Sequence, residues 1–118
     1  MLFICYPKCS TCQKAKKFLD NHNIKYTEQN IKENPPSYEE LLKYYQKSNL
    51  DIKKFINTSG MKYRELNLKE KTKNMTDNEI IKLISTDGML IKRPILITKN
   101  SIILGFKEEE YKKAIDNL

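Results

Sequence analysis

The sequence contains few of the residues on which base reading and metal binding depend. Its 22 basic residues include only two arginines, Arg64 and Arg93, and His22 is its single histidine. Arginine is the main side chain for bidentate contacts with bases, so despite the net charge of +7 we predict no direct contact with nucleic acid. A structural zinc site takes four ligands. Three cysteines within the first twelve residues and one distant histidine do not supply them, so no metal and no organic cofactor is expected.

Long apolar runs are also missing from the chain. Apolar runs such as residues 94–97 and 102–104 are only a few residues long, whereas a membrane-spanning helix needs about 20 apolar residues. The first residues also lack the basic segment and long apolar segment of a secretory signal. We therefore expect a cytoplasmic protein without membrane contact, and a monomer. In that reducing compartment a Cys-x-x-Cys pair is more often redox-active than structural.

The hydrophobic pattern predicts an α/β fold. An uncharged strand at residues 2–6, a helix that ends near residue 21 and an alternating strand at residues 24–31 form a β-α-β unit. Near the other end, strands at residues 94–98 and 101–105 form a hairpin, and a last helix follows at residues 108–118. This order predicts a mixed four-stranded sheet in which the first two strands are parallel and the closing hairpin is antiparallel.

The middle of the chain is predicted to be helical. Ser37 and Thr76 each precede a glutamate by three residues and an apolar stripe, which is typical of a capping box at a helix start. Residues 64–68 fit a helix or a loop equally well. We interpret residues 37–85 as a helical insertion between the two halves of the sheet, within a single domain of residues 1–118. That length suits one domain, since domains most often have about 100–150 residues.

The clearest chemical signal is Cys9-Ser10-Thr11-Cys12, which follows a strand and opens a helix. Ser10 or Thr11 is predicted to cap that helix, with Cys9 at or just before the cap. Free backbone N–H groups and the helix dipole stabilise an anionic sulfur at such a position. We therefore predict that Cys9 is the exposed nucleophile and Cys12 the resolving thiol. The alternative is a pair of buried and unreactive cysteines.

Cys5 and the Arg93-Pro94 pair are weaker signals. Cys5 lies inside the first strand, where a small buried apolar role is the expected one and a third thiol behind Cys9 is the alternative. Pro94 is predicted to form a cis peptide bond beside the thiols, in place of an ordinary trans strand start. Backbone groups of residues 92–93 would then pair with an extended substrate. Arg93 would hold an anion or stabilise the thiolate.

Four stretches resemble the ArsC/Spx/MgsR family of small bacterial proteins. They are YPKCSTCQKAKK at residues 6–17, NTSGMKYREL at 57–66, DGMLIKRP at 87–94 and GFKE at 105–108. The resemblance covers nearly the whole chain and is greatest to the short, arsenate reductase-like branch typified by YusI. It implies a thioredoxin-like fold with an inserted helical region, which agrees with the predicted order of elements.

The resemblance implies two kinds of function. One is a thiol–disulfide or arsenate reductase that receives electrons from thioredoxin, glutaredoxin or a low-molecular-weight thiol. Arg93 matches one of three anion-binding arginines of the arsenate reductases, whereas Cys5 and Gln13 stand where those enzymes have histidine and arginine. The other is a redox-switched regulator, similar to Spx, that binds the α subunit of RNA polymerase and uses Cys9 and Cys12 as its switch.

Overall fold

Four strands form one mixed sheet in the computed structural model, which describes every residue from Met1 to Leu118. The strands are β1 (Leu2–Cys5), β2 (Thr27–Asn30), β3 (Ile95–Ile97) and β4 (Ile102–Leu104), and their order across the sheet is β2-β1-β3-β4. β1 and β2 are parallel, and the other two pairs are antiparallel. The predicted α/β fold with a mixed four-stranded sheet is therefore confirmed.

One face of this sheet is buried by two helices, α1 (Ser10–Asn21) and α6 (Glu108–Asp116). Phe3 stands opposite Leu96, and Leu96 stands opposite Ile103, so these three side chains form a row across the sheet. The buried cluster on this face contains Phe3, Cys5, Cys12, Ala15, Phe18, Leu19, Leu96, Ile103, Tyr111 and Ala114. Because burial of a large apolar side chain contributes about 1.5–3 kcal/mol, this cluster fixes the start of α1 against the end of β1.

The second strand is shorter than the sequence predicts. Only Thr27–Asn30 pair with β1, and not the whole of residues 24–31. Asn23 adopts a left-handed conformation with φ 56°, and the N–H of Ile24 donates to the Leu19 carbonyl at 3.1 Å. Residues just after α1 are therefore used to satisfy carbonyls at its end. The alternating polar and apolar pattern of residues 24–31 does not show that the first of them end the helix rather than extend the strand.

Residues Ile31–Lys92 form a second compact unit, whereas the sheet and its two helices belong to the first unit, Met1–Asn30 with Arg93–Leu118. The second unit contains four helices: α2 (Tyr38–Ser48), α3 (Met61–Glu65), α4 (Leu68–Lys71) and α5 (Asp77–Ser85). A helical segment thus interrupts the sheet along the chain, as predicted. That the whole chain acts as a single domain stays a prediction. None of the helices has the length and apolar character needed to cross a bilayer.

The two predicted capping boxes are present in the second unit. Ser37 Oγ accepts the Glu40 N–H at 3.1 Å, and the Glu40 carboxylate accepts the Ser37 N–H at 3.0 Å. Thr76 and Glu79 make the same pair of bonds at 3.2 and 3.0 Å. Each box satisfies two N–H groups that helix geometry leaves without a partner.

The segment that the sequence left undecided contains two short helices. α3 and α4 are separated near Asn67, which has a left-handed φ of 52°.

Further along, Gly88 packs so closely against Ile31 that an added Cβ would lie 1.8 Å from the Ile31 carbonyl oxygen. Only glycine fits at this close approach of two backbones.

Candidate functional site

Cys9 is itself the N-cap residue of α1. Its backbone is extended, with φ −82° and ψ 126°, and no side chain caps the helix. The Cys9 N–H donates to the Tyr6 carbonyl at 2.9 Å, and the Cys9 carbonyl accepts the Gln13 N–H at 3.0 Å. The prediction that Ser10 or Thr11 caps the helix is therefore wrong, because the turn closed by Tyr6 places the cap one residue earlier. An N-cap side chain faces the N–H groups two and three residues on, so the Cys9 sulfur lies at the positive end of α1.

Cys12 is buried one turn into α1, with 2% of its surface exposed. Its sulfur accepts the Tyr6 N–H at 3.3 Å and is hydrogen-bonded to the thiols of both Cys5 and Cys9. All three cysteines are free, and Cys9 is the only one that is not fully buried. The structure thus brings the two predicted thiols together and adds Cys5 as a third. Cys12 lies at the centre of this three-thiol cluster.

The hydrogen bond between Cys5 and Cys12 makes these two thiols unlike each other. It raises the pKa of Cys12, whose proton it holds, and burial raises that pKa further. The same bond lowers the pKa of Cys5, although burial and the nearby Glu28 carboxylate act against it. The pair therefore favours a state in which Cys5 carries the negative charge and Cys12 keeps its proton. Lys16, which pairs with Glu28 at 2.9 Å, adds a positive charge near Cys5.

Arg93 reaches the same part of the first unit through Tyr6. Its guanidinium carbon lies 5.3 Å from the centre of the Tyr6 ring, which is a cation–π distance. Its Nε and Nη1 atoms are buried and have no hydrogen-bond partner. Buried donors without partners are costly, so these two nitrogens are the strongest indication of an anion site beside β1.

Tyr6 is the residue that the sequence reasoning missed. Its N–H contacts Cys12, its carbonyl contacts Cys9 and its ring lies under Arg93. It therefore joins every predicted site residue except Pro94. The only signal was its place between the strand and Pro7, and that place does not distinguish it from an ordinary end-of-strand tyrosine.

Pro94 precedes β3, and the Arg93–Pro94 peptide bond is cis, as predicted. Its carbonyl accepts the Gly105 N–H at 2.8 Å, which ties it to the end of β4. His22 is exposed at the far end of α1, with Nδ1 2.8 Å from the Phe18 carbonyl oxygen, and it takes no part in the cluster. The roles of Pro94, Arg93 and the two thiols in catalysis stay predictions.

Comparisons with known proteins agree with this architecture. The ArsC family model matches residues 5–114. The uncharacterised Bacillus subtilis protein YusI is 53% identical over 113 residues, which cover 96% of each chain. The global transcriptional regulator Spx of Streptococcus mutans is 30% identical over 107 residues, which cover 88% of this chain and 74% of Spx.

A solved structure shows the same fold. The crystal structure of an ArsC family related protein from Bacteroides fragilis matches with a TM-score of 0.93 and 49% identity, over 96% of this chain and 95% of that one. The predicted thioredoxin-like fold is therefore confirmed together with the family resemblance. The chain belongs to the ArsC family.

Proposed function

We propose that this protein is a cytoplasmic thiol–disulfide oxidoreductase in which Cys9 is the nucleophile and Cys12 the resolving thiol. The observation that carries the proposal is the place of Cys9 as the uncapped N-cap of α1, with the Cys12 sulfur in hydrogen-bond contact. A thiolate is the attacking form of cysteine, and a helix N-terminus beside it favours that form. Cys12, three residues further along the same helix, supplies the second thiol needed to resolve a mixed disulfide.

The chemistry needs two steps and a reductant. The Cys9 thiolate attacks one sulfur of a substrate disulfide, forms a mixed disulfide and releases the other substrate sulfur as a thiolate. Cys12 then gives up its proton to the released substrate thiolate and attacks the Cys9 sulfur, which releases the second substrate thiolate and leaves a Cys9–Cys12 disulfide. Thioredoxin, glutaredoxin or a low-molecular-weight thiol supplies two electrons to restore both thiols. The hydrogen bond with Cys5 and burial raise the pKa of Cys12, so it is protonated in the reduced protein.

Turnover tests the proposal directly. Purified protein is mixed with bis(2-hydroxyethyl) disulfide, with glutathione or thioredoxin as reductant, and NADPH oxidation by the matching reductase is recorded. We expect turnover in the natural chain, background rates in Cys9→Ser, and a reduced rate in Cys12→Ser. Ser10→Ala is the matched control, since Ser10 is exposed in the same helical turn and contacts none of the thiols named above. Absence of turnover with both reductants contradicts the proposal.

Arsenate is a narrower candidate substrate, and the unpaired nitrogens of Arg93 favour it. Two thiols supply the two electrons and two protons that reduce arsenate to arsenite, and the reaction releases water and leaves a disulfide. If this site performs it, arsenate-dependent oxidation of the thiol donor disappears in Arg93→Ala, because the anion loses its charged hydrogen bonds. Turnover with the organic disulfide serves as the control in the same variant. Arsenate-dependent oxidation that persists in Arg93→Ala contradicts this assignment.

The likeness to Spx supports a second candidate, a redox-switched regulator that binds RNA polymerase. In that case the protein retains no enzymatic turnover. It binds the C-terminal domain of the polymerase α subunit, and its affinity changes when Cys9 and Cys12 are oxidised. Binding to immobilised α domain is measured with reduced protein, oxidised protein and Cys9→Ser. Equal and weak retention of all three contradicts this candidate.

A further inference from the structure

Cys5 is a thiol for which the proposed reaction has no use. It lies at the end of β1, only 2% exposed, in the buried cluster beneath α1. It does not reach the surface, so a direct reaction with a protein substrate or reductant is excluded. Its nearest redox partner is Cys12, to which it is hydrogen-bonded. The Tyr6 N–H, on the residue next to Cys5, holds the Cys12 sulfur at 3.3 Å and so keeps the two side chains together.

Cys12 therefore has two thiol neighbours. Cys9 lies at the partly exposed helix start, and Cys5 lies in the core. We propose that Cys12 forms a disulfide with either of them, so that an oxidised pair made at Cys9 and Cys12 moves inward to Cys5 and Cys12. This inference rests on the proposed function, which supplies the first disulfide. It gives Cys5 the role of a second, buried partner in the same redox site.

The transfer is an ordinary thiol–disulfide exchange and needs no further oxidant. The Cys5 thiolate attacks the Cys12 sulfur, the bond between Cys5 and Cys12 forms, and the bond between Cys9 and Cys12 breaks. Cys9 leaves as a thiolate and takes up the proton that Cys5 lost, so atoms and electrons balance. The helix N-terminus stabilises the leaving Cys9 sulfur, and a more stable thiolate leaves faster.

Two features favour Cys5 as the attacking group. Lys16 lies near it and partly offsets the Glu28 carboxylate, which raises the pKa of Cys5. Cys5 and Cys12 belong to the same buried cluster in the reduced protein, and the Tyr6 N–H next to Cys5 holds the Cys12 sulfur, so the attacking thiol is already beside its target. The result is an oxidised protein whose disulfide is buried and whose Cys9 is free. External reductants reach that disulfide only after Cys9 has attacked Cys12 again.

Trypsin separates the two linkages because it cleaves after Lys8 and Lys14. A Cys9–Cys12 disulfide stays within the peptide of residues 9–14, whereas a Cys5–Cys12 disulfide joins that peptide to residues 1–8. The natural chain, Cys5→Ala and Cys9→Ser are oxidised with diamide, quenched in acid, alkylated with N-ethylmaleimide, digested and analysed by mass spectrometry. Fragmentation identifies which cysteine of residues 9–14 is linked.

We expect joined peptides linked through Cys12 in the natural chain and only the internal disulfide in Cys5→Ala. Cys9→Ser should keep two free thiols, because Cys5 and Cys12 are buried and this variant cannot form the first disulfide. In the oxidised natural chain, part of Cys9 should be alkylated. If the natural chain gives only the Cys9–Cys12 disulfide at a diamide concentration that fully oxidises Cys5→Ala, the inference is overturned and the proposed function stands. Joined peptides in Cys9→Ser but none in the natural chain overturn the transfer as well.

A different pattern marks failure of the proposed function. If Cys5→Ala stays reduced while its circular dichroism shows a folded protein, Cys9 and Cys12 are not a redox pair, and a transfer from that pair falls with it. Slower reduction of the oxidised natural chain than of oxidised Cys5→Ala by dithiothreitol is the expected kinetic sign of the buried disulfide.

Discussion

The start of α1 differs from the starts of α2 and α5. α2 and α5, two of the four helices of the second unit, each begin with a complete capping box and carry two acidic residues in their first turn. α1 begins at Cys9 with no side-chain cap and no acidic residue in its first turn. Acidic side chains and caps neutralise the positive end of a helix. The starts of α2 and α5 thus contribute to stability, whereas α1 leaves its start available to an anionic sulfur.

Removal of a capping box has the largest effect that this comparison predicts. Ser37→Ala and Thr76→Ala should each lower the free energy of unfolding by about 1 kcal/mol, because a backbone N–H loses its acceptor. Cys9→Ala should change it far less, since the Cys9 side chain makes no cap bond. Urea denaturation followed by circular dichroism measures all three. An equal loss in Cys9→Ala would show that α1 is capped like the others.

A cap can also be added to α1. Cys9→Ser places a good capping oxygen where none exists, and we expect the reduced protein to gain about 0.5–1 kcal/mol in the free energy of unfolding. The same variant abolishes turnover under the proposed function, so stability and activity move in opposite directions. The measurement is the urea midpoint of Cys9→Ser against that of the natural chain in excess reductant. A loss of stability would mean that the thiol makes packing contacts that serine does not replace.

A negative charge in the first turn of α1 should make it resemble α2 and α5. Thr11 is exposed and is the second residue of α1. In Thr11→Glu the carboxylate competes with the Cys9 thiolate for the positive helix end, and a dipole interaction of this size slows alkylation of Cys9 about two- to fivefold. Thr11→Gln is the matched neutral control. The rate of reaction with iodoacetamide at neutral pH, followed by mass spectrometry, gives the comparison, and equal rates in both variants would argue against a role for the helix start.

The local sequence was sufficient to predict the capping boxes of α2 and α5 but not to predict the cap of α1. A box needs only a serine or threonine and a glutamate three residues apart, so Ser37 and Thr76 were predictable. At α1 the same preference pointed to Ser10 or Thr11, yet the turn made by Tyr6 moved the cap to Cys9. Propensity is a weaker determinant than a tertiary turn of this kind.

The candidate site, too, could be predicted only in part from the local sequence. Cys9 and Cys12 were predictable because four consecutive residues contain them both. The contact of Tyr6 with Arg93 depends on the antiparallel pairing of β1 with β3, which joins residues far apart in sequence. The contact of Cys5 with Cys12 depends on how α1 lies on the sheet, which is decided by the packing of Phe18, Leu19 and Tyr111. Neither contact leaves a pattern in the local sequence.

The smallest predicted effect is the response of a capping box to acid. Hydrogen bonds from the backbone and side chain of Thr76 lower the pKa of Glu79 in the folded protein. The unfolded chain therefore binds a proton more readily, and this stabilisation is present above the ordinary glutamate pKa and is lost as pH falls through the lowered value. Glu79→Gln keeps a side chain that completes the box but does not titrate. The natural chain should therefore lose more stability than Glu79→Gln between pH 5 and the acid limit of folding, as measured by urea denaturation at a series of pH values. No such box exists at α1, so Thr11→Gln should follow the acid response of the natural chain, and a departure from it would place a titrating partner at the start of α1.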